Sequence, residues 1–208
     1  MKKLIFLASS IAAMISFSGC SNNASDSNKK LTAEEARVTE WKSVSTDEIP
    51  YNPIAGLRDQ WMLLAAGCDT AYNAMTIGWG SWGMLWGRPV VNVYVRTSRH
   101  TNEFMKSSPY FTVTAFPGDA RPALQYMGSH SGRDEKDKAA SAGLTVEFTQ
   151  LGNPVFKEAT LAVECKTVYS TLLDPSNLPD HMRAMYTNGD TAAHVMYVGE
   201  IVNVMVKE

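Results

Sequence analysis

Two arginines and two hydroxyl side chains stand close together in the sequence, directly after an apolar run. They are Arg96, Ser98, Arg99 and Thr101, and they lead from the run "PVVNVYVRT" into a short helical pattern. Guanidinium groups, hydroxyls and the free N–H groups of a helix start together can bind a phosphate. The same residues also fit an ordinary solvated loop with a helix cap at Ser98 or Thr101, and the pattern alone favours that loop.

A second pattern, at Gly78, Gly80 and Gly83, has the spacing G-x-G-x-x-G of a dinucleotide-binding turn. In such a turn the third glycine opens a helix that holds the pyrophosphate. Here only residues 84–88 separate Gly83 from Pro89, and a strand pattern follows. The sequence therefore excludes a Rossmann turn and predicts a loop between two strands. The aromatic residues of this segment, which we expect to pack in the core or to cover something flat, are Trp79, Trp82 and Trp86.

Seven segments rich in β-branched or aromatic residues predict the elements that position these side chains. They span residues 60–67, 72–79, 89–97, 110–116, 144–150, 159–173 and 194–206. Shorter helical patterns lie at 101–108, 119–127 and 134–143. Alternation within 159–173 predicts an antiparallel strand with one buried face. The sequence thus predicts a mainly β (α+β) fold, a β-barrel with short helical insertions.

The first residues have the layout of a bacterial export signal. Lys2 and Lys3 form a positive start, and residues 4–17 form an apolar core too short to span a bilayer stably. The tripeptide that follows, Ser-Gly-Cys, resembles a lipobox, at which the signal is cut before a cysteine that carries lipid. The alternative is an ordinary signal with an incidental cysteine. We expect lipidation at Cys20 and anchoring to a membrane of the bacterial cell envelope, outside the cytoplasm.

Three parts of the chain follow from this pattern. Residues 1–19 are predicted to be a lipoprotein signal peptide. Residues 20–40 are predicted to be a lipidated polar tether with a short helix from about residue 33, where Thr32 and Glu35 form a capping box. Residues 41–208 are predicted to form one domain.

Charge and residue spacing exclude several classes of protein. The chain has 19 basic and 21 acidic residues, and loss of Lys2 and Lys3 with the signal would change its net charge from -2 to -4, so no nucleic-acid binding is predicted. No histidine or cysteine pair has metal-ligand spacing, so no metal site is predicted. Cys68 and Cys165 either form a disulfide or remain two buried thiols. His194 fits a structural histidine, which the sequence favours, or a pocket residue.

Five segments, in this order, resemble the flavin reductase-like proteins with the FMN-binding split-barrel fold, in particular the flavoredoxin-like branch. They are "NAMTIGWGS", "RPVVNVYVRTSRHT", "YFTVTAF", "SGRDEKDKAASAGLT" and "HVMYVGEIVNV". The resemblance runs from about residue 60 to the C-terminus. It departs at one point, because the lysine after "SGRD" comes one residue later than in the family. Lys138 is therefore matched by counting back from "AGLT".

The resemblance implies a split barrel with bound FMN. Its phosphate would be held by the segment 96–101, and the edge of its isoalloxazine ring would meet backbone N–H groups of residues 73–76. The side chains implied at the phosphate are Arg96, Ser98, Arg99 and Thr101. The residues implied beside the ring are Asn73, Ala74, Met75 and Thr76, and those implied at its border are Ser131, Gly132 and Lys138.

The resemblance also implies a homodimer and an FMN-dependent oxidoreductase. Electrons would pass from NAD(P)H or another donor through FMN to free flavin, a small molecule or a partner protein. Because the cofactor does the redox chemistry, no catalytic side chain is predicted. The alternative is a non-catalytic flavin-binding protein or flavoredoxin-like electron carrier. A domain outside the cytoplasm meets little NADH, and the sequence has no second nucleotide-binding module.

Overall fold

The computed structural model describes residues 41–207. The predictions for residues 1–40, which include the signal peptide, the lipidated Cys20 and the short helix near residue 33, lie outside the described residues. None of the helices within residues 41–207 is both long and apolar enough to cross a bilayer.

Residues 41–207 form strands connected by turns and short helices. The strands are β1 (Trp41–Val44), β2 (Met62–Cys68), β3 (Ala71–Ile77), β4 (Gly80–Leu85), β5 (Arg88–Arg96), β6 (Tyr110–Ala115), β7 (Val146–Phe148), β8 (Pro154–Phe156), β9 (Leu161–Leu172) and β10 (His194–Lys207). The α-helices are α1 (Pro53–Ala55), α2 (Thr101–Ser107), α3 (Arg121–Ser129), α4 (Lys138–Ser141) and α5 (Asp180–Arg183). A π-helical turn, Gly56–Gln60, continues α1, and 3-10 turns lie at Thr46–Glu48, Gly118–Ala120, Pro175–Asn177 and Ala184–Tyr186.

One antiparallel sheet contains eight of these strands. Its order is β3-β2-β6-β9-β10-β5-β4, and β1 pairs with the C-terminal part of β10. The sheet is not closed, since β3 and β4 form its two ends, and β7 and β8 form a separate hairpin. The predicted mainly β fold with short helices is confirmed. The exclusion of a Rossmann turn is confirmed as well, because the strands around the three glycines pair in antiparallel fashion.

The core of the described residues has two large clusters, on the two faces of β2, and a small third cluster of Val155, Ala162 and Met205. The cluster inside the curved sheet, which we call the barrel core, includes Val91, Val93 and Val95 of β5. A second cluster includes Leu124 and Met127 of α3, and we call it the α3 cluster. Alternate residues of β2 enter the two clusters, so both faces of that strand are buried. This double burial explains why β2 reads as an unbroken apolar run.

Strand β9 differs from the predicted half-buried pattern. Residues Leu161, Val163 and Cys165 face the barrel core as expected, but the residues between them are buried too. The turn between β7 and β8 covers the second face, where Asn153 Nδ2 donates a hydrogen bond of 2.7 Å to the carboxylate of Glu164. The hairpin therefore converts the outer face of β9 into an interior, and only the part of the strand after Cys165 is largely exposed.

Local structure corrects three further predictions. Gly80 and Gly83 belong to strand β4, and only Gly78 of the three glycines lies in a loop. At Gly80 a Cβ atom would stand 3.0 Å from the carbonyl oxygen of Asn92 in β5, which explains why a glycine occupies this strand position. The predicted helix at 134–143 is only the short helix α4, because the N–H groups of residues 134 and 135 bond back to the carbonyl of Ser131 in a turn. The predicted strand at 144–150 is reduced to β7.

The thiol of Cys165 is free and fully buried. A disulfide between Cys68 and Cys165 is therefore excluded. Burial raises the pKa of the Cys165 thiol well above its usual value, so this thiol stays protonated at neutral pH.

Candidate functional site

Three segments meet around the amide of Asn73 in β3. The Nδ2 atom of this buried side chain donates a hydrogen bond of 2.7 Å to Oγ1 of Thr101, the first residue of α2. Gly132 lies against the same amide, and a Cβ atom there would stand 2.1 Å from Oδ1 of Asn73. A side chain at position 132 would therefore displace the amide. The fold thus brings together three of the predicted site residues that are far apart in sequence.

The other predicted residues of β3 point to both sides of the strand. Met75 packs against the barrel core, whereas Ala74 belongs to the α3 cluster. Thr76 donates a hydrogen bond to the carbonyl of Leu124 in α3. Within residues 41–207, β2 is the only strand that pairs with β3. The backbone groups along the other side of β3 therefore lack a strand partner, as the flavin resemblance requires.

Two cationic side chains, Arg99 and Lys138, lie at the C-terminal end of α3, and we call them the cation pair. Nη1 of Arg99 donates a hydrogen bond of 3.1 Å to the carbonyl of Gly128. Nζ of the buried Lys138 donates to the carbonyls of Met127 and His130, at 3.2 and 3.1 Å. Carbonyl groups at a helix C-terminus favour positive charge, which explains why both cations lie there.

The cation pair keeps unused hydrogen-bonding capacity. A guanidinium has five N–H donors and an ammonium has three, and within the described chain Arg99 uses one and Lys138 two. Burial, followed by the charge of Arg99, lowers the pKa of Lys138 to about 8. Glu135 opposes this effect, but its carboxylate accepts hydrogen bonds from the hydroxyl of Tyr126. Two neighbouring cations with free donors are suited to an anion such as phosphate.

Arg133, which the sequence did not single out, ties the neighbouring loops together. Its Nη1 atom donates a hydrogen bond of 3.0 Å to the carbonyl of Ser98, and its Nη2 atom pairs with Glu103 of α2. This pairing lowers the pKa of the Glu103 carboxyl. The backbone N–H of Arg133 also donates to Oγ of Ser131, at 3.2 Å. Arg133 therefore supports the loop that carries Ser131, and Glu103 neutralises its charge. The hydroxyl of Ser131 caps the turn in this loop.

Arg96 and Ser98 lie elsewhere, against the loop that precedes β10. Nη2 of Arg96 donates to the carbonyl of Met185 at 3.1 Å, and Nη1 donates to the carbonyls of Ala192, at 3.2 Å, and Asp190. Oγ of Ser98 donates to the carboxylate of Asp190 at 2.6 Å. These side chains hold a protein loop in place. Their predicted contact with a phosphate stays a prediction, whereas Arg99 has the donors to make one.

A cavity of about 850 Å³ is lined in part by Met185 and Tyr186 of this region, and we call it the aromatic cavity. Its floor includes Tyr94 and Met196, which face each other across the β5–β10 pairing. Residues of the segments 54–61 and 173–186 also line it. Trp79, in the connection from β3 to β4, also lines it. The segment that contains the three glycines and Trp79 therefore forms strand β4 and also contributes residues to the cavity lining.

His194 combines the two roles that the sequence left open. Its Nδ1 atom lies 2.8 Å from the hydroxyl of Tyr186, and its ring centroid lies 5.2 Å from that of Trp79. The side chain is buried and also lines the aromatic cavity. Burial, followed by the charge of Arg96, lowers the pKa of His194 to about 4. The imidazole is therefore neutral at physiological pH.

The lowered pKa of His194 makes folding stability depend on pH. As the pH falls from 6.5 towards 4, the unfolded chain takes up the proton before the folded one does, so the stability that neutral His194 contributes above pH 6.5 is lost in this window. We expect His194→Phe to lose less stability than the wild type between these pH values. Urea unfolding at several pH values measures this difference. The exposed His181, changed to Phe, is the control, and an unchanged pH profile in His194→Phe would contradict the assignment.

Solved structures with a similar fold are flavoproteins by name. The chain superposes on a flavoredoxin from Methanosarcina acetivorans with a TM-score of 0.56 and 25% identity, covering 72% of this chain and 69% of that chain. An FMN-binding domain of a flavin reductases-like enzyme from Shewanella baltica gives a TM-score of 0.57 at 16% identity, covering 80% and 77%. An NADH:FAD oxidoreductase from Streptomyces globisporus gives 0.53 at 16% identity, covering 71% and 75%. The last two similarities establish the fold.

The sequence has no significant match among curated proteins. A family model described as "Flavin reductase like domain" matches residues 57–208, which is more than half of the chain. This match includes the site around Asn73, the cation pair and the floor of the aromatic cavity. The predicted resemblance is confirmed, and the chain belongs to the flavin reductase-like family.

Proposed function

We propose that the protein binds FMN and acts as a flavin-dependent oxidoreductase. The observation that carries this proposal is the cation pair, whose free N–H donors lie at the end of α3, where Gly128 packs against Thr76 of β3. Membership of the flavin reductase-like family and the similarity to a flavoredoxin at 25% identity support it. Bound FMN would supply the redox chemistry of the site.

The residues of this chain would bind and orient the cofactor. Arg99 and Lys138 would contact the phosphate through charge-assisted hydrogen bonds. Unpaired backbone groups of β3 would meet the polar edge of the ring, and Gly132 would leave room beside Asn73. Arg133 would position the loop that carries Ser131. Binding therefore needs no side chain that acts as an acid or a base.

FMN affinity is expected to fall as the pH rises through about 8, because free Lys138 loses its proton there. A phosphate beside Lys138 favours the ammonium form and raises its pKa, so FMN binding takes up a proton above pH 8. Fluorescence titration of FMN from pH 7 to about 9.5 measures this dependence. Riboflavin, which lacks the phosphate, and the variant Lys138→Met should both show a flat profile. The same pH dependence for riboflavin would remove Lys138 from the phosphate site.

Turnover with a nicotinamide distinguishes an enzyme from an electron carrier. Anaerobic stopped-flow mixing of the FMN-loaded protein with NADH, NADPH or dithionite follows the bleaching of flavin absorbance. Rapid and saturable bleaching by NADH or NADPH is expected for a reductase. Bleaching by dithionite alone would favour the second candidate, a flavoredoxin-like electron carrier, which the flavoredoxin neighbour supports.

We also propose that the protein is a lipoprotein anchored through Cys20 outside the cytoplasm. The charged start, the apolar core and the polar tether of the sequence support this proposal. Mass spectrometry of the N-terminal peptide from native cells is expected to show a diacylglycerol adduct on Cys20. An unmodified mature N-terminus at another residue would exclude it.

A homodimer is the third proposal, and exposed apolar side chains of the sheet support it. Met84 and Trp86 at the β4–β5 hairpin are 68% and 65% exposed, and the ring of Trp86 contacts that of Tyr169 on β9. Exposed apolar groups of this size are typical of interaction surfaces. Sedimentation analysis is expected to show a dimer that Trp86→Glu weakens. A monomeric wild type at micromolar concentration would exclude it.

A further inference from the structure

We propose that the carboxylate of Asp190 competes with the phosphate of FMN for the positive charge around residues 96–99. Asp190 lies in the segment 187–193 before β10, which we call the Asp190 loop. This inference rests on the proposed binding of FMN and adds an internal regulation of that site. In the free protein the carboxylate is bound, and phosphate binding releases it.

Asp190 is already bound as an anion within this chain. Its Oδ2 atom accepts a hydrogen bond of 2.6 Å from Oγ of Ser98, and its Oδ1 atom accepts one of 3.0 Å from the backbone N–H of Ala192. Nη1 of Arg96 lies 3.8 Å from Oδ1. A hydroxyl, a backbone N–H and a guanidinium are also the groups that bind phosphate oxygens. The structure therefore contains an anion position that a side chain of the protein itself fills.

The charge of Asp190 also acts on the cation pair. The hydrogen bond from Ser98 makes the largest contribution to lowering the pKa of the Asp190 carboxyl, and the charges of Arg96 and Arg99 lower it further. Arg99 is one of the two cations proposed to hold the phosphate. A phosphate beside Arg99 and the carboxylate of Asp190 would repel each other, because both are negative. Each therefore lowers the affinity of this region for the other.

The Asp190 loop is suited to release its carboxylate. Residues 187–191 are exposed, and the side chain of Asp190 is 45% exposed. Gly189 has a φ of +71°, which glycine adopts without strain, and a Cβ atom there would meet nothing within 4 Å. Arg96 holds the loop by backbone carbonyls. The side chain of Asp190 can therefore turn into water while the backbone of the loop stays attached.

Asp190→Asn removes the competing charge at almost constant size. FMN affinity is expected to rise about 3- to 5-fold, the value of a partly exposed ion pair. Riboflavin lacks the phosphate, so its affinity should change by less than about twofold. Fluorescence titration of both ligands measures these changes. The matched control, Asp180→Asn, removes an exposed carboxylate of α5 on the same connection between β9 and β10, and it should change neither affinity.

Hydrogen exchange at Ala192 reports the release directly. In the free protein the N–H of Ala192 donates to the Asp190 carboxylate, which slows its exchange with solvent. We expect FMN to accelerate this exchange in the wild type, because the N–H loses its acceptor. Riboflavin should leave the exchange unchanged. Mass spectrometry of peptides that span the Asp190 loop measures the effect in the full chain.

The outcomes separate this inference from the proposed function. If the wild type binds FMN and Asp190→Asn binds it no more tightly, or gains equally for riboflavin, the inference is overturned. Slower or unchanged exchange at Ala192 with FMN would overturn it too, because the carboxylate would then stay in place. No FMN binding to either protein would overturn the proposed function, and this inference with it. Because Asp190 is an exposed loop residue, its replacement should leave the fold intact.

Discussion

Replacing Arg99 by alanine and Lys138 by methionine in one protein is expected to weaken FMN binding about 100-fold or more, since each charge-assisted contact is worth about 1.5 to 3 kcal/mol. Riboflavin has the same ring without the phosphate, so its affinity should change by less than about threefold. Fluorescence titration of both ligands measures the two effects. The ratio of the two losses reports the phosphate contact and is independent of any general damage to the site.

Two matched variants sharpen this experiment. Arg88→Ala removes an exposed arginine that pairs with Glu200 at the far end of β5, and it should change neither affinity. Arg96→Ala removes the side chain that holds the loop before β10. Equal losses for FMN and riboflavin are expected if Arg96 acts through this loop alone, whereas a larger loss for FMN would support its predicted contact with the phosphate. Equal losses of both ligands in the Arg99/Lys138 variant would contradict the phosphate role of the cation pair.

Phe111→Ala is expected to lower the free energy of unfolding by about 3 to 5 kcal/mol, the usual cost of removing a buried phenyl ring. Phe111 lies in β6 with no exposed surface and belongs to the barrel core. For a domain of this size, this loss corresponds to a fall in Tm of roughly 6 to 20 °C. Urea unfolding and calorimetry measure both quantities. Leu151→Ala, at an exposed turn position, should change the stability by less than about 0.5 kcal/mol.

Gly199 of β10, which lies against the ring of Phe111, provides an internal check. At Gly199 of β10 a Cβ atom would stand 2.3 Å from Cζ of Phe111, so Gly199→Ala should destabilise the protein when the ring is present. When Phe111 is already alanine, the same methyl group should cost little or fill part of the space. A double-mutant cycle is therefore expected to show strong coupling between the two positions. Additive effects would mean that the ring does not pack on Gly199.

The sequence predicted the sheet better than its connections, for a physical reason. In strands such as β5 and β10, apolar and polar residues alternate, or apolar residues follow one another, because one or both faces are buried. Such a pattern can be recognised within the strand's own sequence. The segment after Ser131 is rich in lysine and alanine, which favour helix, yet backbone bonds to the carbonyl of Ser131 turn it first. Likewise, the outer face of β9 is buried by the hairpin β7–β8, and no pattern within β9 indicates that hairpin.

Only part of the candidate site could be predicted, again because sequence patterns report local structure and not contacts between distant segments. Asn73, Thr101 and Gly132 do meet, and Arg99 and Lys138 share one helix end. The hydrogen bonds of Arg96 to the loop before β10 join residues about 90 positions apart in sequence, and no local pattern reports such a contact. The aromatic cavity was missed because its walls are short turns without periodicity. The sequence contained one indication of this cavity, because the alternation of β5 places Tyr94, which lines it, on the same face as Arg96.

The pairing of β1 with β10 determines where the chain enters the domain. Trp41 lies opposite Lys207, whereas His194 stands at the other end of the same strand. At about 3.3 Å per residue, a strand of this length separates the two ends by roughly 40 Å. An anchor that precedes Trp41 would therefore hold the domain by the end remote from His194. His194 and the residues around it would then lie at the end of β10 farthest from such an anchor.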